Sequence, residues 1–237
     1  IFVDGPDFKP GTYFFDDIIQ GTPSGPSTPI NLPLDFENTQ TNFVWSGFGA
    51  ADFGPIPAGV INNPDASGIN TSSRVVEIIK TAGAQIWAGA SLNLDGIVSF
   101  ANGTTAVVKV WSPRAGTPIL FKMEDSSSPP DGNGNPTVFV EVQASTSVAN
   151  AWEELSFDLT SFNGFSTSIS YDRVILFPDF GNNGNGESFF FDDISIGGVG
   201  NSNPPTLIEN FEGTAPAFIS FGNIPTSQVV ANPNASG

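Results

Sequence analysis

The sequence predicts an all-β protein: an antiparallel β-sandwich or jelly roll whose module is repeated in tandem. Three observations predict it. Short segments alternate apolar and polar residues with a period of two, turn-forming clusters separate them, and motifs near the start of the chain return in order near its end.

Residues 105–111 set Ala106, Val108 and Val110 on one face, and Val107, Lys109 and Trp111 on the other. Residues 118–124 set Ile119, Phe121 and Met123 against Leu120, Lys122 and Glu124. Residues 137–143 set Val138, Val140 and Val142 against Phe139, Glu141 and Gln143. Leu155, Phe157 and Leu159 alternate with Glu154, Ser156 and Asp158. Each is the pattern of a half-buried strand. Residues 73–80 suit a helix or a strand, because Val75-Val76 and Ile78-Ile79 are apolar pairs. Between the strands lie Gly, Pro, Ser and Asn, and Gly and Pro alone number 26 and 20 of 237 residues. Many short strands joined by such turns make a sandwich or jelly roll.

The repeat sets the domain plan. Tyr13-Phe14-Phe15-Asp16-Asp17-Ile18 returns as Phe189-Phe190-Phe191-Asp192-Asp193-Ile194, 176 positions later (192 − 16). Leu34-Asp35-Phe36-Glu37 returns loosely as Glu209-Asn210-Phe211-Glu212, and residues 63–68 return as residues 232–237. The chain then reads as a window on a tandem array. Residues 1–21 are the last strands of one module and 22–31 a linker; 32–197 are a complete module; 198–205 are a second linker; and 206–237 open a third module.

Composition excludes several functions. Cysteine and histidine are absent, so no disulfide, no Ser-His-Asp relay and no ordinary zinc site can form. A bound metal must be held by oxygen, which points to calcium or magnesium. Acids outnumber bases 24 to 7, which argues against nucleic acid as a partner. No apolar run is long enough for a membrane-spanning helix. Glycoside hydrolysis needs two separated carboxylates. The adjacent pairs Glu153-Glu154 and Asp192-Asp193 point to opposite faces of a strand, so nothing selects a catalytic pair and no enzyme is expected.

The repeated acids suggest a metal site instead. By alternation Phe190, Asp192, Ile194 and Ile196 share a face, which puts Asp192 among apolar neighbours. A buried carboxylate needs a partner. Glu37 opens the same module, and the first and last strands of a jelly roll commonly lie side by side. The two acids would then share one Ca²⁺. The plainer alternative is an edge strand with solvated acids. Among the aromatics, a platform of Trp111, Lys109, Lys122, Phe139 and Glu141 would stack and hydrogen-bond a sugar. Its alternative is a cross-strand ion-pair ladder. The stretch Asp131-Gly132-Asn133-Gly134-Asn135 has the spacing of a calcium loop without its closing acid, and reads as a long hairpin loop.

Leu34-Asp35-Phe36-Glu37, Trp152-Glu153-Glu154-Leu155-Ser156-Phe157 and Phe190-Phe191-Asp192-Asp193-Ile194 resemble the jelly-roll, galactose-binding-like carbohydrate-binding modules of secreted bacterial polysaccharide-degrading proteins. Residues 63–73, Trp87-Ala88-Gly89 and residues 109–116 resemble a subgroup found in very large secreted bacterial surface proteins. The resemblance spans residues 32–196. It implies a structural Ca²⁺ on Glu37 and Asp192, with Glu212 and Asp16 as counterparts in the flanking modules. It implies an extracellular location, and two functions compete. One is a non-catalytic repeat of an adhesin or filament, with neighbouring repeats and identical chains as partners; the tandem repeat and short linkers favour it. The alternative is a module that binds a polysaccharide; the resemblance and Trp111 with Lys109 favour it.

Overall fold

The computed structural model describes residues 28–197, and the statements below are made of those residues. They form β1 (Ser46–Phe48), β2 (Ala58–Asn62), β3 (Arg74–Lys80), β4 (Gly89–Asn93), β5 (Thr105–Ser112), β6 (Pro118–Glu124), β7 (Phe139–Ser145), β8 (Ala151–Asp158), β9 (Arg173–Phe177) and β10 (Glu187–Ile196). A single 3-10 turn, Leu159–Ser161, is the only helical element described. No described helix is long and apolar enough to cross a membrane.

Two five-stranded sheets result, ordered β1-β4-β9-β6-β7 and β2-β3-β10-β5-β8. Every pairing is antiparallel. The alternating strands turn their apolar sets inward as expected: Ala106, Val108 and Val110 meet Ile119, Phe121, Met123, Val140, Leu155 and Phe157 in one core. Neither sheet could remain in water alone with such a face, so the two pack together.

The ambiguous segment 73–80 is strand β3, paired with β2 on one side and β10 on the other. Its doubled apolar residues reflect burial on both faces. Val76 and Ile78 face the core, and Val75 joins a cluster on the outward side. The opening motif lies beside the closing strand, because Leu34 and Ile194 exchange backbone hydrogen bonds at 2.9 and 3.0 Å. Ile30 is also held: its N–H donates to the Asp95 carboxylate at 2.7 Å and its carbonyl accepts from the Asp95 N–H at 2.8 Å. Docking thus begins two residues ahead of the expected module start at Leu32.

Alternation fails at one place in β10. Its register against β5 slips between Asp192 and Ser195, and Asp193 sits at φ 46°. One inserted residue reverses the side-chain parity beyond it. Phe190 and Asp192 therefore face outward with Trp111 and Lys109, whereas Ile194 and Ile196 face the core. The four do not share a face. The expected flanking modules, with Asp16 and Glu212, lie outside the described residues.

Candidate binding groove and buried carboxylate

The outward face of the first sheet forms an open groove of about 710 Å³. Strand alternation builds its floor: Lys122 and Glu124 project from β6, and Arg173, Ile175 and Phe177 from β9. One wall is aromatic. Trp87, just ahead of β4, stacks beside Phe48 with ring centroids 6.2 Å apart and planes at 19°. Phe48 meets Phe177 edge-on at 5.6 Å, and Phe53 lies 6.4 Å from Trp87 on the outer side. Trp87 is 41% exposed, whereas Phe177 is 8% exposed, so the wall runs from buried to open. Backbone close approach sets this spacing. A Cβ at Gly89 would stand 2.6 Å from the Leu176 carbonyl oxygen, and one at Gly49 would stand 3.0 Å from the Trp87 ring. Asn133, Gly134, Asn135 and Pro136 edge the groove from the β6–β7 loop.

The polar floor is held in place before any ligand arrives. Glu124 is 4% exposed, and its two carboxylate oxygens take Lys122 Nζ at 2.9 Å and Arg173 Nη1 at 3.2 Å. Arg173 Nε donates to Asn93 Oδ1 at 2.7 Å. Lys122 Nζ also lies 4.3 Å from the centre of the Phe139 ring, a cation–π contact, and Glu141 is its cross-strand partner. The floor therefore offers fixed donors and one acceptor beside a hydrophobic wall.

The outward face of the second sheet differs. Val75, Trp152 and Phe190 form an apolar cluster with Ile61 and Trp111 packed against it. The loop between β2 and β3 covers it. Trp111 Nε1 donates to Asp65 Oδ2 at 3.0 Å, and Trp152 Nε1 donates to the Asp65 carbonyl at 2.7 Å. Lys109 pairs with Asp193. The five expected platform residues are thus divided. Lys122, Phe139 and Glu141 belong to the groove sheet, and Lys109 and Trp111 to the covered one. The division follows from β5 and β6 lying in different sheets, which strand spacing along the chain does not reveal.

Asp192 is fully buried. Its carboxylate accepts from Asn70 Nδ2 at 2.9 Å, from the Asp193 N–H at 2.8 Å and from the Ser72 hydroxyl, which also meets Asn70 Oδ1. No basic side chain pairs with it among the described residues. Burial pushes this carboxyl up to about 7, and the Asp193 charge adds to the rise against those hydrogen bonds. Glu37 is exposed and accepts the Arg74 N–H at 2.8 Å, two residues from Ser72. Both predicted acids therefore meet the same short segment, 70–74. No group of three acids that could hold a metal ion occurs among the described residues. The polar side chains beside Asp192 are Asn70 and Ser72. The Asp131 loop uses its carboxylate internally: the N–H groups of Asn135 and Asn133 donate to Oδ1 and hold that carboxyl below its usual range. It is a closed hairpin loop.

Sequence reasoning missed Trp87, Glu124, Arg173, Phe48 and Phe177 as groove residues. The 173–177 run is apolar but for Arg173, which hides its outward side. The signal that could have found them was the Trp87-Ala88-Gly89 triplet.

No family model matches the chain, and no curated protein matches it. Solved structures do. The chain is similar to the family 11 carbohydrate-binding module from Clostridium thermocellum in complex with a β-1,3-1,4-mixed-linked tetrasaccharide, at 13% identity and a TM-score of 0.45, over 68% of this chain and 94% of that one. It is similar to a family 30 carbohydrate-binding module at 14% identity and a TM-score of 0.45, over 71% of this chain and 82% of that one. It is also similar to part of an arabinose-bound α-L-arabinofuranosidase, at 13% identity and a TM-score of 0.46, over 73% of this chain and 27% of that one. The structural neighbours of this two-sheet module thus include carbohydrate-binding modules, which have a β-sandwich fold.

Proposed function

We propose that the module binds a polysaccharide in the groove of the first sheet and does not cleave it. The observation behind this reading is an exposed aromatic wall beside a prearranged Lys122–Glu124–Arg173 floor. A sugar ring offers an apolar C–H face and a hydroxyl edge. The wall suits the face by stacking, and the ion-paired floor suits the edge by donating and accepting. The groove lining contains one carboxylate, Glu124, and both its oxygens are engaged. Two separated carboxylates are needed for hydrolysis, so binding is the chemistry this groove supports.

Titration of the full chain against mixed-linkage β-glucan, xylan, galactan and polygalacturonate tests the reading. At least one binds, and Trp87→Ala weakens that binding. Silence across the panel overturns it.

A structural Ca²⁺ at Asp192 belongs to the same reading. A fully buried carboxylate with no countercharge among the described residues, beside the Asn70 and Ser72 side chains, suits a hard oxygen-seeking cation, and Glu37 meets the same 70–74 segment at the Arg74 N–H. Bound there, the ion supplies the missing positive charge, while Asp192, Asn70 and Ser72 hold the 70–74 segment against β10. Chelation lowers the melting temperature of the full chain, and Asp192→Ala removes that response. A melting temperature indifferent to chelation counts against the site.

The recurring motifs favour a second, compatible reading, in which the module is one unit of a long extracellular array with adhesive or filament roles. Images of the native protein then show a rod with a regular axial repeat. Isolated modules joined to one enzyme contradict it.

A further inference from the structure

Lys80 ends β3 and is only 1% exposed. Val76, Ile78 and Lys80 alternate onto the inward face, so the lysine follows two core residues into the space between the sheets. Its ammonium reaches the loops of the opposite sheet. It donates to the carbonyls of Asp179 at 2.8 Å, Pro178 at 3.0 Å and Ile86 at 3.4 Å. An ammonium has three N–H donors, and all are used.

Those three carbonyls flank the aromatic wall. Ile86 precedes Trp87, Pro178 follows Phe177, and Asp179 precedes Phe180. The Ile86 carbonyl also accepts the Gly181 N–H at 2.9 Å, which joins the two loops directly. The charged groups facing Lys80 are few. Asp179 follows β9, Glu187 is its partner on β10, and Arg114 precedes β6. Arg114 engages both acids, donating to Glu187 and to Asp179 at 2.8 Å each. Residues 81–88 carry no ionisable side chain. Among the described residues, Lys80 is therefore the side chain that reaches from the second sheet to both wall loops.

We propose that Lys80 is the positioning residue of the aromatic wall: its ammonium fixes the Trp87 loop and the Phe177–Phe180 turn at one spacing, and the wall loosens when that ammonium loses its proton. The consequence for glycan affinity rests on the groove reading above; the consequence for Trp87 does not. Burial lowers the Lys80 pKa to about 8, with Asp179 acting against the shift and Arg114 adding to it, so the switch falls within a usable range.

Two measurements on the full chain test this between pH 7 and pH 9.5. One is acrylamide quenching of Trp87, taken as the difference between the chain and its Trp87→Phe variant. The other is calorimetric affinity for mixed-linkage β-glucan. Raising the pH makes Trp87 more quenchable and weakens glucan binding about tenfold, in keeping with the loss of a buried charged hydrogen-bond set. Lys80→Met shows the high-pH quenching already at pH 7 with no further change, which also corrects for other groups that titrate in this range. Lys80→Arg keeps the wild-type value at pH 7. Should Lys80→Met not fold, the wild-type pH series decides alone. Trp87 quenching that is equal at both pH values overturns the proposal. Unchanged quenching in Lys80→Met at pH 7 overturns it too. If glucan fails to bind at either pH while quenching responds, the groove reading loses support and the role of Lys80 stands.

Discussion

The outward face of the first sheet carries Phe48, Ile175 and Phe177 and leaves Trp87 open beside a groove. The outward face of the second carries Val75, Trp152, Phe190 and Trp111 and lies beneath the 63–73 loop. Both faces have aromatics, and both have lysines at alternating positions. The difference is what the chain itself does with them. On the second sheet Asp65 takes both indole N–H groups, and Asp193 takes Lys109. On the first sheet the ion pairs lie beside the aromatic wall, and Trp87 stays 41% exposed. Under the proposed function that exposed tryptophan serves the ligand, and the two that Asp65 ties down serve the fold.

The comparison breaks or sharpens through variants on the two faces. The largest effect is expected from Trp152→Ala, which empties a site only 6% exposed and lowers stability by about 3 kcal/mol in urea unfolding. Glycan affinity is unchanged in that variant. A loss of affinity without a loss of stability would reverse the roles of the faces. Trp87→Ala is the mirror case. It weakens binding of the best polysaccharide ligand about tenfold or more, and unfolding free energy falls by only about 1 kcal/mol, from the lost Phe48 and Phe53 contacts.

Asp65→Ala removes the carboxylate under Trp111 and costs about 1 kcal/mol. Amide exchange then accelerates across residues 63–72 while the groove binds as before. Unchanged exchange in that loop would show that the apolar cluster alone holds the cover down.

A further effect concerns pH. The folded pKa of Lys80, about 8, lies below its ordinary 10.5. Between these values the unfolded chain binds more protons than the folded one, so the Lys80 contribution makes stability rise with pH across that window. The rise is the difference between wild type and Lys80→Met in parallel urea titrations. Global stability and wall order then move in opposite directions, because burial of the charge is costly although its hydrogen bonds are local ties. A wild-type curve that parallels Lys80→Met removes this account.

Much of the fold was legible along the chain. Period-two alternation in 105–111, 118–124 and 137–143 identified strands and their inward faces, because side-chain direction in a strand is a local property. Segment 73–80 stayed ambiguous for a local reason too: a strand buried on both faces loses its alternation. Asp192 was identified as a buried acid, but its face was misassigned, since the bulge at Asp193 leaves no mark in the residue pattern. The groove was hardest to read. Lys122 was found, while Glu124 and Arg173 were not, because their pairing joins β6 to β9 across 49 positions.

The sequence by itself determined the class of the molecule: strands, turns, an inward apolar set, acids in place of histidine and cysteine, and motifs that recur. These follow from residue type and from contacts within a few positions. The tertiary structure alone decided which sheet each strand joins, that a loop seals the Trp111 face, and that Trp87 shares a groove with Lys122, Glu124 and Arg173. These depend on contacts between residues tens of positions apart. Several sheet orders satisfy the same alternation, and only packing of the whole module selects among them.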